Sequence, residues 1–204
     1  MRLKVIEKAL ILGVFAAVVL CAFSIRAQNS VSDKLIRLHV KANSDEPFDQ
    51  ELKLKVRDAV LTKIEDEISD KDLTSVREEL YVMLPELEAT AQAVVRENEA
   101  AYPVKATFAT QYFPTRVYEN FALPSGNYET LYIEIGEAAG QNWWCVVFPP
   151  LCVAASEGET IEDAAEAAGF TKGDVSFITG KESGYKIKFK VAEIYGDLKH
   201  KLFD

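Results

Sequence analysis

The chain begins with a basic stretch that is followed by an uninterrupted run of apolar residues. Arg2, Lys4 and Lys8 precede the run, which covers residues 9–25 with the sequence ALILGVFAAVVLCAFSI. As a helix this run extends about 25 Å, slightly less than the roughly 30 Å hydrocarbon core of a bilayer. A helix that is apolar on every side leaves no face for solvent, so burial in a soluble core is the weaker explanation. The pattern predicts a signal peptide or membrane anchor over residues 1–27.

Cleavage of this leader is an open alternative. Ala22 and Ser24 supply small residues where a signal peptidase requires them, so the leader is either cut after Ser24 or retained as an anchor. Cys21 does not indicate lipidation, because the residue before it is a bulky leucine. In both cases the rest of the chain is expected outside the cytoplasm. The polar residues 28–33 (QNSVSD) are predicted as a short linker to an extracytoplasmic domain at 34–204.

Helical and strand periods occupy separate blocks of the predicted domain. Branched apolar residues at 35–42 predict a strand, and the polar NSDEPFDQ stretch ends it. Apolar residues then recur at helical spacing, first from Pro47 to Ile64 and again over 74–98. Pro85 lies inside the second stretch, where it either kinks the helix or begins a new one.

The period changes to two after Pro103, which predicts β-structure. Strands are expected over 104–112, near 128–135 and over 143–148. Because the connection between the last two is short, we expect them to pair as an antiparallel hairpin. A short acidic helix is predicted at 159–169, ending at a glycine. The tail at 185–203 fits both periods, and we take it as a strand that passes into a helix.

These blocks predict an α+β fold, in which an N-terminal signal or transmembrane helix precedes a single domain. A mostly antiparallel sheet is expected to pack against amphipathic helices in that domain. The full chain carries a net charge of −9, with 23 basic and 32 acidic residues. Residues 1–27 contribute four basic residues and one acidic residue, or +3, so the exported part carries −9 − 3 = −12. Such an acidic domain argues against nucleic acid or an anionic lipid surface as a partner.

The sequence shows no recognisable catalytic, cofactor-binding or metal-binding motif. His39 and His200 do not form a spaced ligand pattern, and no nucleophile elbow of the Gly-x-Ser-x-Gly type occurs. The TGKES stretch at 179–183 lacks the hydroxyl residue that a phosphate-binding loop needs after its lysine. We therefore assign no catalytic residue, cofactor or metal. An exported hydrolase of the cell wall, with carboxylates that converge only on folding, is the alternative.

The stretch NWWCVVFPPLC at 142–152 contains the most unusual chemistry of the chain. Outside the cytoplasm Cys145 and Cys152 are expected to form a disulfide, which would stabilise the fold by roughly 2 to 3 kcal/mol. The Cys-x-x-Cys spacing of redox proteins is missing, so a reactive thiol pair is the weaker reading. On a strand Trp143 and Trp144 point to opposite faces, so one of them is either exposed for a partner or covered by a second layer.

Aromatic residues beside a rigid turn are typical anchors for a protein partner. The predicted contact surface has a first part around the two tryptophans and a second part in the loop after the first strand. Its residues are Trp143, Trp144, Phe148, Pro149, Pro150, His39, Asn43 and Asp45.

Two blocks of the sequence resemble the stage II sporulation protein R family of endospore-forming bacteria. The blocks are LIRLHVKANSDEPFDQELKLKVRDAV at 35–60 and NFALPSGNYETLYIEIGEAAGQNWWCVVFPPLC at 120–152. The Trp-Trp-Cys and Phe-Pro-Pro-Leu-Cys segments of the second block are specific. The helical middle and the tail after Cys152 match only in general character.

The resemblance implies a messenger that is made in the forespore and exported into the space between the two sporulation membranes. There it is expected to activate a membrane-embedded aspartic protease of the mother-cell membrane. That protease removes the inhibitory segment from the precursor of the first mother-cell sigma factor. The family suggests no catalytic residues to carry over, which favours action by binding. A structural protein of the septal space is a further alternative.

Overall fold

The computed structural model describes residues 2–68, 71–118, 121–151 and 161–180, and the statements below concern these residues. The helices are α1 (Arg2–Ser32), α2 (Pro47–Ile68), α3 (Leu73–Glu97), α4 (Ile161–Ala167) and α5 (Lys172–Thr179). The strands are β1 (Ile36–Lys41), β2 (Val104–Phe113), β3 (Arg116–Val117), β4 (Ala122–Leu123), β5 (Gly126–Ile135) and β6 (Asn142–Phe148). The predicted α+β class is confirmed.

The described residues divide into two compact units. The first, which we call the sheet unit, contains Asp33–Gln111 and Asn127–Phe170. The second contains Met1–Ser32, Tyr112–Gly126 and the described residues from Thr171 onward.

The main sheet is mixed, with the strand order β2-β5-β1-β6. β1 pairs with β5 in parallel and with β6 in antiparallel orientation, so that Leu38 lies opposite both Leu131 and Cys145. The expected hairpin of β5 and β6 is therefore wrong, because β1 lies between them. Five of the six β1 residues are buried, and strands buried on both faces take central positions. The predicted strand direction of β6 relative to β5 agrees with the structure, but the pairing does not.

Helices α2 and α3 pack against one face of this sheet and against each other. Asp72 caps α3, because its side chain accepts a hydrogen bond from the Ser75 amide at 2.8 Å. Pro85 neither ends nor divides α3, which continues to Glu97 with Pro85 on its exposed side. The core residues from the two helices are Leu52, Val56, Val60, Ile64, Ile68, Val76, Leu80, Met83, Leu87, Ala91 and Val95.

Helix α1 belongs to the second unit and continues past the apolar run to Ser32. The predicted linker at 28–33 is mostly helical, since α1 ends at Ser32, and Gln28 and Val31 are buried. Near the end of α1, Ser30 Oγ donates a 2.9 Å hydrogen bond to Asp174 Oδ1 of α5. The exposed large apolar residues of α1 are Val5, Ile6, Leu10, Ile11, Leu12, Val14, Phe15, Val18, Val19 and Leu20.

A search of the described helices finds none with the length and apolar character needed to cross a bilayer. The signal or anchor over residues 1–27 remains a prediction. The predicted acidic helix at 159–169 corresponds to α4, which is followed by Gly169 in the left-handed conformation with φ of 82°. The tail at 185–203 lies outside the described residues.

Candidate functional site

Strand β6 places the two tryptophans on opposite faces of the sheet. Trp143 lies on the helical face and is 37% exposed, and Arg57 of α2 stacks on it with Cζ 4.3 Å from the ring centroid. Trp144 lies on the other face and is half-buried, with its ring stacked on His39 at 4.0 Å between centroids. Trp143 is therefore the more accessible of the two to a partner.

His39 belongs to an aromatic layer on the face opposite the helices. Its ring packs edge-on against Tyr132 of β5 at 4.9 Å, while Trp144 stacks on it from β6. The Tyr132 hydroxyl donates a hydrogen bond to Gln111 Oε1. Burial raises the pKa of Tyr132 to about 12, although the nearby positive charge of Arg37 acts in the opposite direction. The layer holds His39 and Trp144 in internal contacts, so both residues support the sheet.

The predicted contact residues Asn43 and Asp45 fasten the loop after β1 to the loop between β5 and β6. Asn43 Oδ1 accepts a 3.0 Å hydrogen bond from the Glu137 amide. Asp45 Oδ1 accepts a 2.7 Å hydrogen bond from the Gln141 amide. These bonds fix the point at which β6 begins, one residue before Trp143. Asn43 and Asp45 therefore position the candidate surface through their hydrogen bonds to the backbone that precedes β6.

Asp49, in the first turn of α2, is the acceptor at the centre of this junction. Its Oδ2 accepts hydrogen bonds from Asn43 Nδ2 at 2.8 Å and Ser44 Oγ at 2.6 Å, while its buried Oδ1 has no hydrogen-bond partner among the described residues. Burial acts to raise the pKa of Asp49, but the donors from Ser44, Asn43 and Tyr102 outweigh it and hold the pKa below its ordinary value. For Tyr102, burial and then the charge of Asp49 raise the pKa. The Asp49 carboxylate is thus charged, and its hydrogen bonds converge on Oδ2.

Lys53 joins α2 to the same junction one turn later. Its Nζ donates to Gln141 O at 3.0 Å and to Gln50 Oε1 at 2.6 Å. Burial lowers the pKa of Lys53, while Asp45 partly restores it. The lysine therefore contributes a second connection between α2 and the residues that precede Trp143.

Two glycines allow the close approach of the loops. Gly136 has φ of 59°, and a Cβ there would lie 2.2 Å from Asn43 Oδ1. A Cβ at Gly140 would lie 2.1 Å from Ser44 O, which is a backbone atom. Sequence reasoning placed a turn at these residues but missed the junction. The available signal was the coincidence of two glycines with an Asn-Ser-Asp loop, which only the pairing of β1 between β5 and β6 brings together.

The end of β6 is less exposed than the predicted contact surface required. Phe148 and Pro149 are buried, whereas Pro150 is exposed, and the peptide bond before Pro149 is cis. Cys145 is buried among the core residues. Cys152 lies outside the described residues, so the disulfide with Cys145 remains a prediction. In the described ranges, no group of three or more His, Cys, Asp or Glu side chains is arranged to hold a metal ion.

Comparison with known proteins places these features in a family. A family model described as stage II sporulation protein R matches residues 32–158, which is more than half of the chain. Stage II sporulation protein R of Bacillus subtilis (strain 168) is 36% identical over 187 residues, covering 82% of this chain and 83% of the relative. No solved structure matches the chain. The match spans the main sheet, its covering helices and the loop junction. The chain therefore belongs to the stage II sporulation protein R family.

Proposed function

We propose that this protein is an exported signal of sporulation that activates a membrane-embedded aspartic protease of the mother-cell membrane. The activated protease then processes the precursor of the first mother-cell sigma factor. Family membership, which gives the protein a role in sporulation, is the observation that carries the proposal. The protein acts by binding, not by catalysis. The apolar run at 9–25 delivers it across the forespore membrane and, if it is not cut near Ser24, holds it there.

The surface around Trp143 supports an action by contact. Arg57 stacks on the indole, and its guanidinium also bonds to Asp58 Oδ1 at 2.6 and 2.7 Å. The loop junction below fixes the start of β6. A tryptophan held in this way loses little conformational freedom when a partner covers it, which favours binding. The contact surface of the proposal therefore centres on Trp143, with Pro150 as a second exposed residue.

The mechanism is a shift in the conformational population of the protease. A ligand activates a receptor when it binds the active form more tightly than the inactive form. A shift from about 1:99 to 99:1 requires a difference of roughly 5.5 kcal/mol between the two affinities. Loss of one central aromatic contact removes about 2 kcal/mol or more, which is a large part of that difference.

Reconstitution tests the function. The protein, the protease and the sigma precursor are produced together in a host that lacks sporulation genes, and shortened sigma factor is measured by immunoblot. We expect processing only when all three are present. Processing that is unchanged when this protein is omitted contradicts the proposal. Hydrolysis of peptidoglycan by the purified protein, abolished by changing one carboxylate, would establish the cell-wall hydrolase instead.

Trp143→Ala tests the contact surface in the same assay. We expect its dose-response to shift to about 30-fold higher protein concentration, because about 2 kcal/mol of binding energy is lost. Val117→Ala is the matched control, since Val117 is also an exposed apolar residue. Circular dichroism and the fluorescence of the remaining tryptophan check folding. A normal dose-response of folded Trp143→Ala removes Trp143 from the contact surface.

A further inference from the structure

Strand β2 forms one edge of the main sheet, and helix α3 supplies acceptors to the first part of that edge. The Val104 amide donates a 3.0 Å hydrogen bond to Gln92 Oε1, and the Ala106 amide donates a 2.9 Å hydrogen bond to Glu88 Oε2. Gln92 Nε2 also donates to the Tyr102 carbonyl at 2.9 Å. These side chains take the place of a neighbouring strand. Among the described residues, these side-chain acceptors meet the edge at its beginning, at Val104 and Ala106.

In the part of the chain that the structure describes, no side chain supplies such acceptors to the second part of β2. Alternate residues of a strand direct their amides to the same side, so Phe108 and Thr110 face outward as Val104 and Ala106 do. Within the described residues, no hydrogen bond joins the Phe108 or Thr110 amide to another element. Residues 109–111 are exposed. The open edge at 107–111 is about 16 Å long, enough for a short added strand.

Helix α3 changes from polar to apolar contacts beside this part of the strand. Tyr81 packs edge-on against Phe108, with 4.9 Å between ring centroids, and is 56% exposed. Val82 is 75% exposed, and Glu78, one turn earlier, is also exposed. Tyr81 is thus an exposed aromatic side chain beside the outward amide of Phe108, and a partner strand that pairs there would cover its ring.

We propose that residues 107–111 of β2 pair with an extended segment of a partner protein. The backbone of that segment adds a fifth strand and forms up to four hydrogen bonds with Phe108 and Thr110. On the side of α3 its side chains are apolar, to cover Tyr81 and Val82, and basic, to meet Glu78. Residues 28–204 carry a formal net charge of −12, which also attracts a basic partner. The identification of the partner as the protease rests on the proposed function. The inference that the edge binds an extended segment does not rest on it.

The first test uses a probe that is independent of the protease. A capped hexapeptide of alternating valine and lysine is added to the protein at millimolar concentration, and amide exchange is followed residue by residue by NMR. We expect exchange at Phe108 and Thr110 to slow about tenfold or more, since both amides become hydrogen-bonded. A peptide of the same sequence that is N-methylated at alternate positions is the control and should give no protection. Unchanged exchange at both amides with the unmodified peptide overturns the inference.

The second test links the edge to signalling. Thr110→Pro removes one outward donor at a position where an edge strand tolerates proline, whereas Thr110→Val keeps the donor and changes only the side chain. In the reconstituted processing assay we expect Thr110→Pro to lower sigma processing about tenfold or more and Thr110→Val to leave it near normal. Full processing by folded Thr110→Pro shows that the protease does not use this edge, while the proposed function stands.

The two failures are distinguishable. If the peptide protects Phe108 and Thr110 but the protease is never activated, the proposed function fails and the open edge remains a strand-binding site. If sedimentation shows a dimer that Thr110→Pro abolishes, a second copy of this chain occupies the edge. The inference that the edge binds a basic partner is then wrong.

Discussion

Replacing Asp49 by asparagine should weaken the junction that positions β6. The substitution keeps the shape of the side chain but removes its charge. Asn43 and Ser44 donate two hydrogen bonds to Oδ2, at 2.8 and 2.6 Å. A hydrogen bond to a charged acceptor contributes about 1 kcal/mol more than one to a neutral acceptor. We therefore expect Asp49→Asn to lower the free energy of unfolding by about 2 kcal/mol at pH 7.

Urea denaturation followed by tryptophan fluorescence measures this loss, because both tryptophans lie in the same unit as Asp49. With a slope of about 2 kcal/mol per molar urea, the midpoint should fall by about 1 M. Asp66→Asn is the matched control, since Asp66 is an exposed aspartate of the same helix. We expect this control to stay within about 0.5 kcal/mol of the wild type.

The difference in stability between the wild type and Asp49→Asn depends on pH, and its direction follows from the sign of the Asp49 pKa shift. The pKa of Asp49 is lower in the folded protein than in the unfolded chain. Its stabilising contribution is therefore fully present above the unfolded value of about 3.9 and is lost as pH falls through the folded value. The stability difference between the wild type and Asp49→Asn should narrow progressively as pH falls below the unfolded value and through the lowered folded pKa. Equal stability of the two at pH 7, or a gap that does not narrow on acidification, would refute the reasoning.

Two further predictions concern the same region. Gly136→Ala should lower the free energy of unfolding by about 2 kcal/mol or more, because φ is 59° and Asn43 Oδ1 lies 2.2 Å from the new Cβ. Gly173→Ala, whose Cβ meets nothing closer than 3.7 Å, should be nearly neutral; equal losses in thermal melts of the two variants contradict the argument. Trp144→Ala should destabilise the protein by about 3 kcal/mol, since the stack on His39 at 4.0 Å is lost. Trp143→Ala should cost less than half as much in urea denaturation, and the reverse order would show that the exposed ring carries the stability.

Several features of the molecule follow from local sequence alone. Helices α2 and α3 are visible in the spacing of their apolar residues, because a 3.6-residue period places them on one face whatever the rest of the chain does. The opposite orientation of Trp143 and Trp144 follows from strand geometry in the same way. The family match agrees with the resemblance carried by 35–60 and 120–152. These predictions needed only neighbouring residues.

The position of β1 between β5 and β6 was decided by tertiary structure. A short loop normally predicts a hairpin, but β1 is buried on both faces, and the central position satisfies its backbone on two sides. Asn43 and Asp45 read as exposed loop residues in the sequence. They become structural because β1 carries them beside the 136–141 loop, where its amides need acceptors.

The sequence by itself thus determined helices α2 to α4, the four strands of the main sheet and the family, because periodicity and motif are properties of consecutive residues. It did not predict α5, β3 or β4. Only the folded chain decided that Trp143 is exposed while Trp144 is stacked on His39, and that β2, among the described strands, lies at the edge of the sheet. The physical reason is that strand order is set by competition among all strands for burial and backbone partners. That competition joins residues about a hundred positions apart, and no local pattern records it.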